Sequence, residues 1–255
     1  MVSTYGGNGL MGAYAGPDIS EDGLVLALDA GDTNSYPGSG TTWYNLSGQG
    51  SNGALINGST FGSINGGAIQ TDSTNDYINI GGGLPTGDAW SFNIWFLIDG
   101  PTSFTQTGHR TFLSTNNFRF QWDDTSSTSI ARGPFIDFTD DAGGEIAQYS
   151  TTLSPSDIFN RWHMTSVTSD GSTIKVYYDA STDGVGSTEI AGSRNFSTNA
   201  AASLGIDNRS GQGGTDIFNR DGGNTYFSNI SIYNRALTAS EVKQNFNALR
   251  GRFGI

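Results

Sequence analysis

The sequence predicts an all-β protein: two antiparallel sheets stacked face to face, with one short helix near the C terminus. Three observations predict it. Thirty-seven glycines with abundant Asn, Ser and Thr supply chain reversals, and a 12% share of aromatic residues supplies strands. The apolar runs are short, mostly alternate with period two, and are separated by turn signals rather than by helical patterns. Only beyond residue 237 does the apolar period lengthen to that of a helix.

Taken in order, residues 1–22 read as an arm outside the sandwich, which spans 23–255 as one domain. Gly6, Gly7, Gly9, Gly12 and Gly16 loosen the arm, while Tyr5, Leu10, Met11 and Tyr14 are apolar anchors with which it would dock on a partner. Leu24, Leu26 and Leu28 share one face of the first strand. Short runs follow at Gly53–Asn57, Gly67–Gln70 and Asp76–Ile80. The strongest strand is Trp90–Ile98: Trp90, Phe92, Ile94, Phe96 and Ile98 form one apolar face, and Trp95 and Leu97 opposite imply cover on both sides. Phe112–Thr115 and Asn117–Trp122 read as a hairpin, followed by Phe135–Phe138. The pair Trp162–Thr168 and Ile174–Asp179 is joined by Asp170-Gly171, a strong hairpin signal.

The C-terminal run Tyr226–Val242 holds a strand, a turn and a helix start. Ile230 and Ile232 share a face opposite Asn229, Ser231 and Tyr233. Thr238 and Glu241 stand at capping-box spacing, with Leu237 and Val242 as a hydrophobic staple. The helix is placed at about 238–249, with Val242, Phe246 and Leu249 on its apolar stripe and Arg250 and Arg252 suited to its C-terminal end.

Charge narrows the function classes. Charged residues make up 14% of the chain against roughly 25% in an average domain. There are 24 acids and 12 bases, a net charge of −12, so a phosphate backbone is repelled and nucleic acid is excluded as a partner. Cysteine is absent, so neither disulfides nor thiolate metal sites contribute. No apolar run approaches the ~20 residues of a membrane span, and the start of the chain lacks the basic and apolar regions of a secretory signal.

Three segments together resemble laminin-G-like and pentraxin domains, the concanavalin-A-like jelly rolls. Asn160–Asp179 resembles their central hairpin, in which Trp-His opens one strand and a Tyr-x-Asp/Asn-Gly end closes the next. Residues 226–249 resemble the final strand, its Asn-Arg-Ala-Leu-Thr turn and the helix, although Ser228-Asn229 stands where an acidic pair is common. Gly23–Asp29, Trp43–Gly48 and Gly66–Ile80 are similar to the opening strands. A further likeness, carried by Leu26-Ala-Leu-Asp-Ala-Gly31 and Asn247–Ile255, is to laminin-G-type proteins in virions of tailed phages. The resemblance implies a jelly-roll sandwich that recognises rather than catalyses. It implies a virion structural protein (capsid decoration, head fibre or tail-associated) that forms a homo-oligomer on the particle, docks through its arm and displays a rim to glycans or a host surface. A soluble, calcium-dependent carbohydrate-binding module is the alternative.

In pentraxin-like members calcium sits at the sandwich rim, and the matching positions are Asn116-Asn117 and Asp207-Asn208. Hard cations take six to eight oxygens, and this set offers a single carboxylate. Asn and Asp also occupy turns for backbone reasons alone. Asp29–Asn34 and Asp137–Asp141 are further oxygen-rich loops without EF-hand order. Tyr36, Trp43, Tyr149 and Tyr226 read either as loop aromatics that stack on sugar rings or as edges of the core. Glucanase chemistry needs closely paired carboxylates, and Glu21, Glu145, Glu189 and Glu241 stand apart. His163 reads as a packing residue beside Trp162, and no Gly-x-Ser-x-Gly elbow accompanies it. Gly48-Gln-Gly-Ser-Asn-Gly53 matches a dinucleotide fingerprint in spacing, but no helical pattern follows it, so it reads as a loop.

Overall fold

The computed structural model describes residues 18–72, 74–100, 109–123, 133–139, 145–149, 158–180, 190–191, 195–196, 201–206 and 224–255. In chain order the strands are β1 (Leu24–Asp29), β2 (Thr42–Trp43), β3 (Gly53–Ile56), β4 (Thr60–Gly62), β5 (Ala68–Thr71), β6 (Tyr77–Gly81), β7 (Ala89–Ile98), β8 (His109–Thr115), β9 (Phe118–Asp123), β10 (Gly133–Thr139), β11 (Glu145–Tyr149), β12 (Trp162–Asp170), β13 (Thr173–Tyr178), β14 (Ile190–Ala191), β15 (Ala201–Leu204) and β16 (Thr225–Tyr233). The helix α1 (Ala239–Phe253) closes the fold. Sheet A runs β14-β13-β12-β7-β16-β5-β4, with β1 also on β16; sheet B runs β11-β10-β9-β8-β15-β6-β3-β2. The ladders named here are antiparallel, and the two sheets form the expected jelly-roll sandwich.

The core lies between the sheets. Trp90, Phe92, Ile94, Phe96 and Ile98 of β7 face inward as their alternation predicts. Phe118 and Phe120 of β9 meet them from sheet B, with the Trp90 and Phe118 rings stacked at 5.2 Å and Phe96 against Phe112 at 4.2 Å. Both contacts cross between the sheets. A register shift between Phe227 and Asn229 lets Phe227, Ile230 and Ile232 of β16 all reach this core despite their uneven spacing.

The outer face of sheet A is covered by α1. Trp95 stacks on Phe253 at 4.3 Å and on Phe246 at 5.5 Å, and Trp162 meets Phe253 at 4.7 Å. This explains why β7 is apolar on both faces. The helix starts as predicted, with Thr238 and Glu241 forming a reciprocal capping box. It continues four residues past the expected end, because Arg252 and Phe253 both pack inward. Gly254, at φ 74°, then terminates it by returning its N–H to the Arg250 carbonyl. Residues 18–22, assigned from sequence to the arm, belong to the packed body. Asn245 accepts the Ser20 amide at 2.7 Å, and Gln244 donates to the Asp18 carbonyl at 2.7 Å.

One side chain fastens the end of α1 to the sandwich. The Arg252 guanidinium is buried, forms an ion pair with Asp29, and donates to the carbonyls of Asn65 (2.8 Å) and Gly67 (2.9 Å) and to Ser228 Oγ (2.7 Å). The passage is tight: a Cβ on Gly31 would lie 2.3 Å from the guanidinium and would push it off its partners. Asn229 adds a hydrogen bond to Asp29, so Ser228-Asn229 serves this junction.

Replacing Arg252 with Ala strands the Asp29 carboxylate in a largely buried site. Chemical denaturation should show a loss of about 3–5 kcal/mol, whereas Arg250→Ala, on the exposed side of α1, should stay within about 0.5 kcal/mol. A second outcome concerns pH. The Arg235 hydrogen bond and the helix start hold the Glu241 carboxyl down at about 2, against an ordinary 4.5. Its stabilisation is therefore complete above about pH 4.5 and disappears as pH falls through about 2. Glu241→Gln should flatten that part of the stability–pH curve.

Candidate functional site

The strand registers place five long connections at one end of the sandwich. β7 finishes there at Ile98, opposite Thr225 at the start of β16, and Leu97 lies opposite Trp162 at the start of β12. On sheet B, His109 and Gly133 both lie opposite Asp123. Tyr149 lies opposite Phe135, and Gly205 donates its N–H to the Thr111 carbonyl. The Phe96–Phe112 contact brings these two sheet ends together. The connections β7–β8, β9–β10, β11–β12, β13–β14 and β15–β16 therefore all depart from this end.

The backbone at this end is held firmly. The Asp99 amide donates to the Asn224 carbonyl, and the Asn160 amide donates to the Ile98 carbonyl, both at 2.8 Å. Asn160 adopts φ 61°, a left-handed conformation that Asn tolerates. Its side chain clasps Gly100, donating to the carbonyl at 2.9 Å and accepting the amide at 3.3 Å.

His163 and Asp179 meet beside that clasp, across the β12–β13 hairpin. Thr165 lies opposite Tyr178, so Asp179 arrives beside Met164 and His163. Its carboxylate accepts from His163 Nδ1 at 2.8 Å and from the Met164 amide at 2.9 Å. A carboxylate only accepts, so Nδ1 donates to Asp179. The ring is 4% exposed, and Nε2 is buried with no hydrogen-bond partner. Tyr178 stacks on the ring at 4.7 Å and Phe96 approaches at 5.9 Å. Asp179 and Ala180 follow with φ 48° and 58°, so the two bonds to Asp179 also fix a strained turn.

Sequence reasoning placed His163 beside Trp162 and missed its partner. Strand alternation puts Trp162 on the other face, where its Nε1–H donates to Asn65 Oδ1 at 2.9 Å. Counting residues back from the Asp170-Gly171 turn was the signal that could have found Asp179.

Of the expected calcium positions, only Asn116 and Asn117 lie among the described residues. Asn116-Asn117 is the β8–β9 turn, where Thr115 Oγ1 accepts the Asn117 amide at 3.1 Å and Asn117 Nδ2 donates to the Asn195 carbonyl at 3.1 Å. Ala202 lies opposite Thr115, so β15 runs away from that turn toward Thr111. The four-residue step from Thr115 to Thr111 spans about 13 Å. Asp207 and Asn208 lie outside the described residues, as do Tyr5, Leu10, Met11 and Tyr14. Among the described residues, no three His, Cys, Asp or Glu gather as a metal site.

Two of the four candidate sugar-stacking aromatics are core residues. Trp43 is fully buried between the sheets, and Tyr36 packs on Phe61 at 5.2 Å while donating to the Gly40 carbonyl. Their Gly-rich surroundings look like loop in sequence, but β2 and the turn before it fold over the core. Tyr226 is a strand residue near the start of β16, packed at the edge of the outer apolar cluster. Tyr149 closes β11 at the loop-bearing end. Other polar candidates are occupied. Asp32 Oδ1 accepts from the Asn34 amide and side chain, and Glu241 is the helix cap. No helix among the described residues is long and apolar enough to cross a membrane.

Comparison with known proteins agrees with this geometry. The binding domain of Paraclostridial Mosquitocidal Protein 1 superposes with a TM-score of 0.65 at 15% identity, covering 89% of this chain and 52% of that one. The botulinum neurotoxin serotype D binding domain gives 0.63 at 13% identity, with 89% and 52% covered. The chain thus spans about half the length of these toxin domains. Domain 4 of AbnA, a GH43 extracellular arabinanase from Geobacillus stearothermophilus in complex with arabinotriose, gives 0.61 at 16% identity, covering 89% of this chain and all of that domain. No curated protein sequence matches. The family profile for the concanavalin A-like lectin/glucanases superfamily, in its laminin-G form, matches residues 72–243. That match covers most of the chain and includes the central hairpin and the capped start of the helix, so this protein belongs to the laminin-G-like family of that superfamily.

Proposed function

We propose that this protein is a non-catalytic recognition domain for glycans, carried on a larger particle such as a virion. The observation that carries the reading is that five connections leave the sandwich from strand ends at one end, where the backbone is held by the Asp99–Asn224 bond and the Asn160–Gly100 clasp. Binding residues concentrate on connections held by a rigid scaffold. The arabinanase domain of the same fold, with its bound arabinotriose, supports a sugar as the ligand class.

Three carboxylates held in ion pairs support recognition over hydrolysis. A glycosidase needs two carboxyl groups free to act as acid and as nucleophile or base. Asp29 is engaged by Arg252, Asp179 by His163 and Glu241 by Arg235. Asp170 is held below the usual carboxylate range, chiefly by the Ser172 amide. The virion setting draws support from the likeness to phage laminin-G-type proteins and from the four apolar anchors ahead of residue 18.

Two measurements test this. Calorimetry with arabinotriose and a glycan array probed with the whole chain should reveal binding at micromolar strength without polysaccharide cleavage. A silent array with no heat, or hydrolysis, would refute the reading. Deleting residues 2–17, and sparing the packed residues from 18 onward, should leave the melting temperature nearly unchanged and abolish incorporation into particles. Normal incorporation of the deletion would sink the docking role.

A further inference from the structure

The outer face of sheet A is left partly open at the end where the long connections gather. One register file crosses it there. Thr60 of β4 lies opposite Gln70 of β5, Gln70 opposite Tyr226 of β16, Tyr226 opposite Leu97 of β7, and Leu97 opposite Trp162 of β12. The chain neighbours Phe61, Ile69, Phe227 and Phe96 pack toward the core, so alternation puts this file on the outward side. Leu97 and Trp162 are buried within the outer apolar cluster. Tyr226 and Gln70 are only half-buried, and Thr60 is exposed.

The turn Ile64–Gly66 bounds the file on the side of α1. Asn65 Oδ1 accepts from Trp162 Nε1 at 2.9 Å, and the Asn65 carbonyl accepts from Arg252 Nε at 2.8 Å. The file thus grades from a covered apolar half to an open polar half, and Tyr226 stands where they meet. One side of its ring packs at the edge of the outer cluster, while the residue keeps part of its surface open. Opposed residues on one sheet face have Cβ atoms about 5 Å apart, so the Tyr226 ring and the Gln70 amide adjoin. Neither the Gln70 side-chain amide nor the Thr60 hydroxyl makes a hydrogen bond among the described residues. Strand pairing holds these groups in place before any ligand arrives, which lowers the ordering cost of binding.

We propose that this shelf binds a neutral saccharide unit, with a sugar ring stacked on the open side of Tyr226 and its hydroxyls bonded by the Gln70 amide. The inference rests on the glycan-binding reading and gives it a place. That place is one residue in from Ile98 and Thr225, the strand ends at which two of the long connections meet the sandwich. The occupant follows from what the file offers and what it lacks. A sugar ring presents an apolar C–H face beside hydroxyls that donate and accept, and an aromatic face next to an amide matches both. Thr60 adds a further hydroxyl on the same line at the exposed edge. The file carries no charged side chain with which to hold an anion or a cation.

Calorimetry with arabinotriose and an array of neutral oligosaccharides, both with the whole chain, test the site. Gln70→Ala removes a half-exposed amide with no internal partner, so it should keep the melting temperature and lose affinity about three- to tenfold. Tyr226→Ala should lose affinity about tenfold, while Tyr226→Phe, which keeps the ring, should retain most of it. Parent-like binding by Gln70→Ala and Tyr226→Ala overturns this site while the glycan-binding reading stands. A loss in Tyr226→Phe as large as that in Tyr226→Ala overturns the stacking. Binding confined to acidic glycans overturns the neutral-sugar assignment. A parent that binds no glycan overturns both the site and that reading.

Discussion

A strand that is apolar on both faces has to be covered twice, and β7 imposes that requirement on the whole molecule. Its inner residues, from Trp90 to Ile98, need a second sheet, and the aromatic rings of β8 and β9 provide it. Its outer residues Trp95 and Leu97 need another layer, which α1 supplies through Phe246 and Phe253. Fully burying each such side chain contributes about 1.5–3 kcal/mol, so neither cover is dispensable in a fold of marginal net stability. The helix is thus the third layer of the sandwich.

That third layer has to be held in place where polar groups enter the interior. At its C-terminal end, Arg252 reaches through a gap bordered by Gly31 to meet Asp29. At its start, Ser91 Oγ accepts the Leu237 amide and donates to the Arg235 carbonyl. Between these ends, Asn93 bridges the central strands, donating to Ser231 and accepting from Ser166. The free edge of β1 is treated in the same way. Asn45 Oδ1 accepts the Ala27 amide, and Ser47 donates to the Val25 carbonyl, so no open ladder remains there for another chain to extend.

A scaffold fixed on three layers can leave one end for recognition. Solved domains from a toxin and an arabinanase share this frame at 15% and 16% identity. His163 and Asp179 show how frame and end are joined. One carboxylate orients an imidazole and also secures the left-handed turn that starts a connection. Asp29 and Glu241 are likewise held in structural bonds, to Arg252 and Arg235.

The sequence by itself determined the features that depend on near neighbours. Period-two alternation marked the inner face of β7 and the split faces of β16, Asp170-Gly171 set the central hairpin, and Thr238 with Glu241 set the helix start. Each is legible because the interacting groups lie within a few residues of one another. Only the tertiary structure decided that Trp43 and Tyr36 are core, that residues 18–22 pack on α1, and that Asn116-Asn117 and the end of β15 diverge. It also decided that Asp29 pairs with Arg252, 223 residues away, and that Arg119 and Gln121 are buried on an outward face. Those outcomes follow from which strands pair and in what register, and strand pairing is a property of the whole chain rather than of any window within it.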